Sequence, residues 1–119
     1  MSSQPEQLRD RTKAFALRII RLYRSLPFRT DTQVLGKQLL RCGTSVAANY
    51  RAVCRARSKA EFVARMGIVV EEADEAILWL ELMTESGIVS VEKTKELLKE
   101  ANELTSIFSA SQRTARNVA

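Results

Sequence analysis

Histidine is absent from this chain, which removes the commonest general base and the commonest zinc ligand. Only 4 glycines and 2 prolines punctuate 119 residues, too little turn chemistry for a sheet. No apolar run approaches the ~20 residues of a membrane span. The N-terminus, Met1-Ser2-Ser3-Gln4-Pro5-Glu6, lacks the apolar core of a signal peptide, so a cytoplasmic location is expected. Cysteine is limited to Cys42 and Cys54. They fall 12 residues apart on one predicted helix, about 18 Å along its axis. A disulfide needs Cα atoms within roughly 7 Å. Both are therefore read as small buried hydrophobes in a reducing compartment.

What remains is helix-forming sequence in a single domain, residues 1–119. The composition, 45% hydrophobic and 28% charged, is that of a globular chain, and its size suffices for a core without metal or disulfides. A first helix is predicted over 6–26, with Leu8, Thr12, Phe15, Ile19, Leu22, Tyr23 and Leu26 on one face. Pro27 stops it. A second, over 31–56, opens on a capping box made by Thr30 and Gln33 and turns Val34, Leu35, Leu39, Cys42, Val46, Asn49 and Val53 inward. A third, over 59–86, opens on the box Ser58-Lys59-Ala60-Glu61 and stops at Ser86-Gly87. A fourth, over 91–113, follows Ser90, and residues 114–119 are expected to fray. Long helices joined by short connections make an all-α, up-down-up-down antiparallel four-helix bundle.

Two stretches break the amphipathic pattern. The third helix carries Ala64, Ile68, Leu78, Trp79 and Leu82 opposite its core stripe, interspersed with Glu71, Glu72, Glu75 and Glu81. A helix apolar on two faces is normally covered on both. Ile68, Glu71, Glu75, Leu78, Trp79 and Leu82 are the candidate subunit interface, with Trp79 as its anchor; scattered exposed apolar residues are the plainer reading. In the second helix, Gly36, Gly43, Ala47 and Cys54 line up. Each mid-helix glycine costs about 1 kcal/mol against alanine, so a neighbouring helix is expected to press there. Asn49, on the apolar face, needs a partner, Glu72 or Ser45.

Charge is split along the chain. Residues 1–65 carry 14 Lys/Arg against 4 Asp/Glu, and residues 66–119 carry 5 against 10. Arg18 and Arg21 on the first helix, Lys37, Arg41, Arg51 and Arg55 on the second, and Arg57 and Lys59 beyond it are the candidate nucleic-acid contacts. Arg9, Arg11, Lys13, Arg24 and Arg65 extend that basic surface. Arginine favours phosphate, whose oxygens its fork binds bidentately; a solvated charged face is the plainer alternative. Aromatics interleaved with these cations are few, Tyr50 being the one clear case on the second helix, which argues against base stacking on single strands. The run Glu71-Glu72-Ala73-Asp74-Glu75 spreads its carboxylates around a helix, so they are not expected to converge on a metal. There is no nucleophile motif, Gly-rich phosphate loop or Glu-x-x-His pair. No catalytic residue, metal site or cofactor is expected.

The segments Ser45-Val46-Ala47-Ala48-Asn49-Tyr50-Arg51-Ala52, Arg57-Ser58-Lys59-Ala60-Glu61-Phe62, Glu71-Glu72-Ala73-Asp74-Glu75 and Trp79-Leu80-Glu81-Leu82 resemble the bacterial four-helix-bundle family of 23S rRNA intervening-sequence proteins. The accessory protein of diversity-generating retroelements is a relative of that family. The resemblance spans roughly residues 8–110. It implies a left-handed bundle, a homopentameric ring, a positive surface for nucleic acid and no enzymatic activity. Many members carry an acidic residue and Gly after the Asn; here Arg51-Ala52-Val53 follows Tyr50, as in a more basic subgroup. Besides a second copy of the chain, the expected partner is the backbone of structured RNA or DNA. The alternative is a protein-interaction scaffold whose basic half docks on the acidic half of the next subunit, or on a partner protein, rather than on nucleic acid.

Overall fold

Local hydrogen bonding marks several of the helix ends. The computed structural model describes residues 3–118; Met1, Ser2 and Ala119, on which part of the N-terminal reading and the last of the expected fraying fall, lie outside them. Helix α1 (Gln4–Arg24) is capped by Ser3, whose hydroxyl accepts the Glu6 amide at 3.3 Å, with Pro5 in the first turn. It ends two residues before the expected Leu26, because the pre-proline position resists the α conformation and Ser25 instead closes back on the Leu22 carbonyl at 2.7 Å.

Helix α2 (Thr30–Cys54) corrects one expected cap. Arg29 is its N-cap without a side-chain bond, and the Thr30–Gln33 box does not form. Gln33 accepts the Tyr23 hydroxyl at 3.0 Å, while the Thr32 amide goes to Asp31 at 2.8 Å. The helix stops at Cys54 rather than Ala56.

Helix α3 (Lys59–Glu85) keeps its box in shifted form. The Ser58 hydroxyl accepts the Glu61 amide at 3.1 Å, and the Glu61 carboxylate reaches back to the Arg57 amide at 3.2 Å, one residue beyond the expected Ser58. Gly87 ends it at φ +82°, a left-handed conformation that glycine takes without penalty.

Helix α4 (Val91–Asn117) runs four residues past the expected 113 and through most of the stretch expected to fray. Its last turns are tied to α3 by Gln112, whose amide donates to the Val63 carbonyl at 3.1 Å.

The connections 25–29, 55–58 and 86–90 are too short to do anything but reverse direction, so consecutive helices run antiparallel. α3 packs between α2 and α4, α1 packs on α2 and more sparsely on α4, and α1 and α3 sit across the diagonal. The fully buried Phe15, Ile19, Leu39, Val46, Met66, Val69, Leu80, Met83, Leu104 and Phe108 form one core. Arg11 clamps the sparse α1–α4 seam. Its guanidinium meets Glu100 through two bonds, at 2.6 and 3.1 Å, and Glu103 at 3.0 Å.

Several side chains sit where the pattern did not put them. Val34, expected inside, is 58% exposed. Tyr50, expected among the surface cations, is buried and stacks on Phe108 with ring centroids 5.4 Å apart. Burial, then the neighbouring Cys54, pushes its phenol above the ordinary range. Cys42 is buried but Cys54 is exposed, and both thiols are free. The α2 glycines do mark close approach. A Cβ on Gly43 would lie 2.4 Å from Ile19 Cδ1, and one on Gly36 would lie 2.9 Å from Leu26 Cδ1. Asn49 takes Ser45, donating to its carbonyl at 2.9 Å and its hydroxyl at 2.8 Å.

Candidate nucleic-acid interface

The N-terminal half of α1 lies beside the C-terminal half of α2, and the 55–58 connection closes the gap toward α3. These three segments enclose a groove of about 1020 Å³, lined by Arg9, Lys13, Arg51, Arg55, Arg57 and Arg65. Its other lining residues are Ala47, Ala48 and Ala52, with the carboxylates Glu6, Asp10 and Glu61. The concavity follows from the sequence. Three alanines within six positions of α2 leave no side-chain bulk, while Arg51 and Arg55, one turn apart, rise beside them.

Charge in the groove is only partly neutralised internally. The Arg57 backbone amide, then the Arg65 guanidinium, hold the Glu61 carboxyl below the usual carboxylate range, and Arg65 Nε sits 3.1 Å from it. Arg9, Lys13, Arg51, Arg55 and Arg57 form no ion pair among the described residues. Five cations therefore face a concave surface with Glu6 and Asp10 as the remaining counter-charges.

Of the candidate contacts, the groove gathers Arg51, Arg55 and Arg57. Lys59 is exposed at the start of α3, outside the lining, and Arg18, Arg21, Lys37 and Arg41 lie further along the bundle. Arg9, Lys13 and Arg65, expected to extend the basic surface but not among the candidate contacts, complete the groove. The signal for the first two was available: an antiparallel α1–α2 pair sets the turn holding Arg9 and Lys13 against the turn holding Arg51 and Arg55.

Arg41 is a correction. It is not a free cation but a strut between α2 and α3, reaching Glu72 at 3.3 Å, Glu75 at 3.2 Å and the Cys42 sulfur at 3.3 Å. The partner Glu75 belongs to its own chain, not to a neighbouring subunit. Glu72 and Glu75 also converge with Cys42, their ligand atoms lying within 4.8 Å of one another, against the expectation that the acidic run diverges. The i, i+3 spacing puts this pair on one side of α3. The arginine supplies the positive charge at that point. Burial, aided by Glu75, pushes the Cys42 thiol up to about 11, which leaves it a neutral thiol at neutral pH.

The candidate interface residues on α3 share one side of the helix. At roughly 100° per residue, Ile68, Glu71, Glu75, Leu78, Trp79 and Leu82 fall within a single arc. Ile68, Leu78 and Leu82 are 41%, 47% and 41% exposed. Trp79 differs from its expected role as an open anchor: it is half-buried against the core, with its indole Nε1 shielded and unpartnered.

Among the described residues, no helix is long and apolar enough to cross a membrane. Residues 7–110 match the model of the 23S rRNA-intervening sequence protein family. The chain is also similar to a crystal structure from Bacteroides thetaiotaomicron, a protein of unknown function from the S23 ribosomal protein family. Identity is 30%, the match covers 93% of this chain and 99% of that one, and the TM-score is 0.86. No curated protein matches the chain.

Proposed function

The chain belongs to the 23S rRNA-intervening sequence protein family, and from that premise we propose that it is a non-enzymatic, homo-oligomeric bundle that grips the phosphate backbone of structured RNA or DNA in the cytoplasm. The observation that carries the reading is the groove, where five cations without internal ion pairs stand around an alanine floor. A concave basic surface focuses potential toward a polyanion, and guanidinium groups take phosphate oxygens two at a time. The reading is tested by the salt dependence of binding to unrelated sequences. Affinity should fall linearly on a log–log plot, by about 0.9 per phosphate contact for B-form DNA, with little dependence on sequence. A flat salt response, or no binding at low salt, ends it.

The oligomer rests on the exposed α3 stripe, and five copies is the number the family resemblance implies. Because Trp79 packs against the core, Leu78→Glu with Leu82→Glu is the cleaner disruption. Light scattering should show a folded but smaller species. Wild-type protein that is already monomeric at about 10 μM, an ordinary interface affinity, would sink the idea.

The scaffold reading keeps one specific support. Glu71 and Glu81 are exposed on α3 and make no ion pair among the described residues, so an acidic helix is available to a neighbour's groove. In that case loss of groove arginines dissociates the assembly.

A further inference from the structure

We propose that Phe28 is a stacking platform for an unpaired nucleobase, set at the opposite end of α2 from the groove; this rests on the nucleic-acid reading above. Phe28 is 94% exposed, whereas Phe15 and Phe108 are essentially inaccessible. Its exposure is not that of a loose loop. Leu26, two residues before it, packs against the core, and the turn is closed by the Leu26 amide on the Tyr23 carbonyl at 3.1 Å and the Arg29 amide on the Pro27 carbonyl at 3.0 Å. Pro27 fixes its own φ as well. The ring is held out on a short, braced turn.

Its surroundings point to an anionic ligand with a flat apolar face. Phe28 and the exposed Val34 share a shallow hollow of about 310 Å³ with Arg29, Thr30, Gln33 and Lys37. Lys37 has no ion pair among the described residues, and Arg29 is only loosely matched to Asp31 at 3.9 Å. A lipid surface is a poorer fit, since interfacial binding needs a whole apolar helix face and this site offers one ring and one valine. A nucleotide supplies a π face for the ring and a phosphate for the cations.

Position supplies the second argument. Lys37, Thr44, Ala48, Arg51 and Arg55 follow one another at spacings of 7, 4, 3 and 4 residues, which keeps them on one side of α2. The hollow and the groove therefore open onto the same face of one helix, about 20 Å apart from Lys37 to Arg51 at the helical rise per residue. A ligand lying along α2 reaches both. Paired RNA presents its backbone to the groove, and only an unstacked base in a loop or bulge can meet the ring. The ligand class is thus a stem with an unpaired base, not a plain duplex.

The test uses the full chain and two fluorescent RNA probes, a blunt duplex and the same stem closed by an unpaired adenosine loop. Phe28→Ala should weaken stem–loop binding by roughly 5- to 150-fold, the range that base–aromatic stacking supports, and leave duplex binding unchanged. Phe28→Trp should restore the stem–loop. Because the ring makes almost no internal contact, circular dichroism should show an unaltered fold. Equal binding of the stem–loop by wild type and Phe28→Ala overturns the inference, as does an equal loss on both probes or a Phe28-dependent affinity for anionic vesicles instead of RNA. If wild type binds neither probe, the nucleic-acid reading itself fails. If Arg51→Ala lowers both probes while Phe28→Ala lowers neither, only the stacking inference fails.

Discussion

Reversing the charge of Arg51 and Arg55 together, each to Glu, is expected to reduce affinity for RNA or DNA by at least roughly a hundredfold near physiological salt. Each guanidinium lines the groove without an internal carboxylate partner, so each is free to make charge-assisted bonds to phosphate worth about 1.5–3 kcal/mol. Alanine at both positions should flatten the salt slope by about two units, one per lost contact, and do so equally for unrelated sequences. Both residues are exposed near the end of α2, so thermal stability should change little. Mass measured on the same variant separates the two readings of the groove. An intact oligomer with lost binding supports phosphate contact. A dissociated one supports subunit docking through the same arginines. Unchanged affinity with an unchanged salt slope would leave the groove charge as mere solvation.

Arg41→Ala is the matched control, and the structure reverses its role. On the sequence alone Arg41 belongs to the same stripe as Arg51 and Arg55, and its loss should weaken binding. In the fold its guanidinium is occupied by Glu72, Glu75 and Cys42. Its removal should therefore leave the salt slope alone and strain the α2–α3 seam, where Glu72 would stand half-buried without its partner.

That difference shows which parts of the molecule are legible in a sequence and which are not. The four helices follow from apolar spacing, from stops at Pro27 and Gly87 and from the start signal at Ser58, all of which act through local geometry. The close α1–α2 approach was readable from Gly43, since a mid-helix glycine costs stability unless something occupies the space. What escaped depends on neighbours distant in sequence. Whether an arginine is free or paired is decided by a carboxylate 31 or 34 residues away. The burial of Tyr50 and the exposure of Phe28 escaped for a similar reason. Helical spacing leaves Tyr50 on the boundary of the apolar face, and the α4 residue Phe108 draws it inside. Phe28 lies between helices, where spacing says nothing about burial. The alanine floor of the groove was visible as composition, but its meaning as an opening depended on Arg9 and Lys13 arriving beside it.

Gly43→Val should be among the most destabilising single substitutions in the chain, by about 3 kcal/mol or more. Two opposing effects set the sign. Replacing a mid-helix glycine by alanine gains about 1 kcal/mol in helix propensity, while overpacking a core costs about 1–3 kcal/mol. At Gly43 a Cβ would meet Ile19 Cδ1 at 2.4 Å, and Cγ2 and Cβ at 3.2 and 3.3 Å. The obstacle is thus the root of a fully buried, β-branched side chain whose χ1 is stiff, not only its tip. Alanine should already be net destabilising, and valine adds two methyl groups while forfeiting much of the propensity gain. Gly67 provides the contrast on α3. A Cβ there meets only the amide end of Gln112 at 2.9 Å, a flexible group that can swing aside at the cost of one hydrogen bond, so Gly67→Ala should be close to neutral. Urea unfolding at fixed protein concentration reads both as shifts in midpoint at constant slope. Ile19→Val removes the methyl that lies at 2.4 Å, so combining it with Gly43→Ala should recover stability, with a coupling of about 0.5–3 kcal/mol. A Gly43→Ala protein as stable as wild type would mean that α1 yields at this point, and that the glycine is not what sets the α1–α2 spacing.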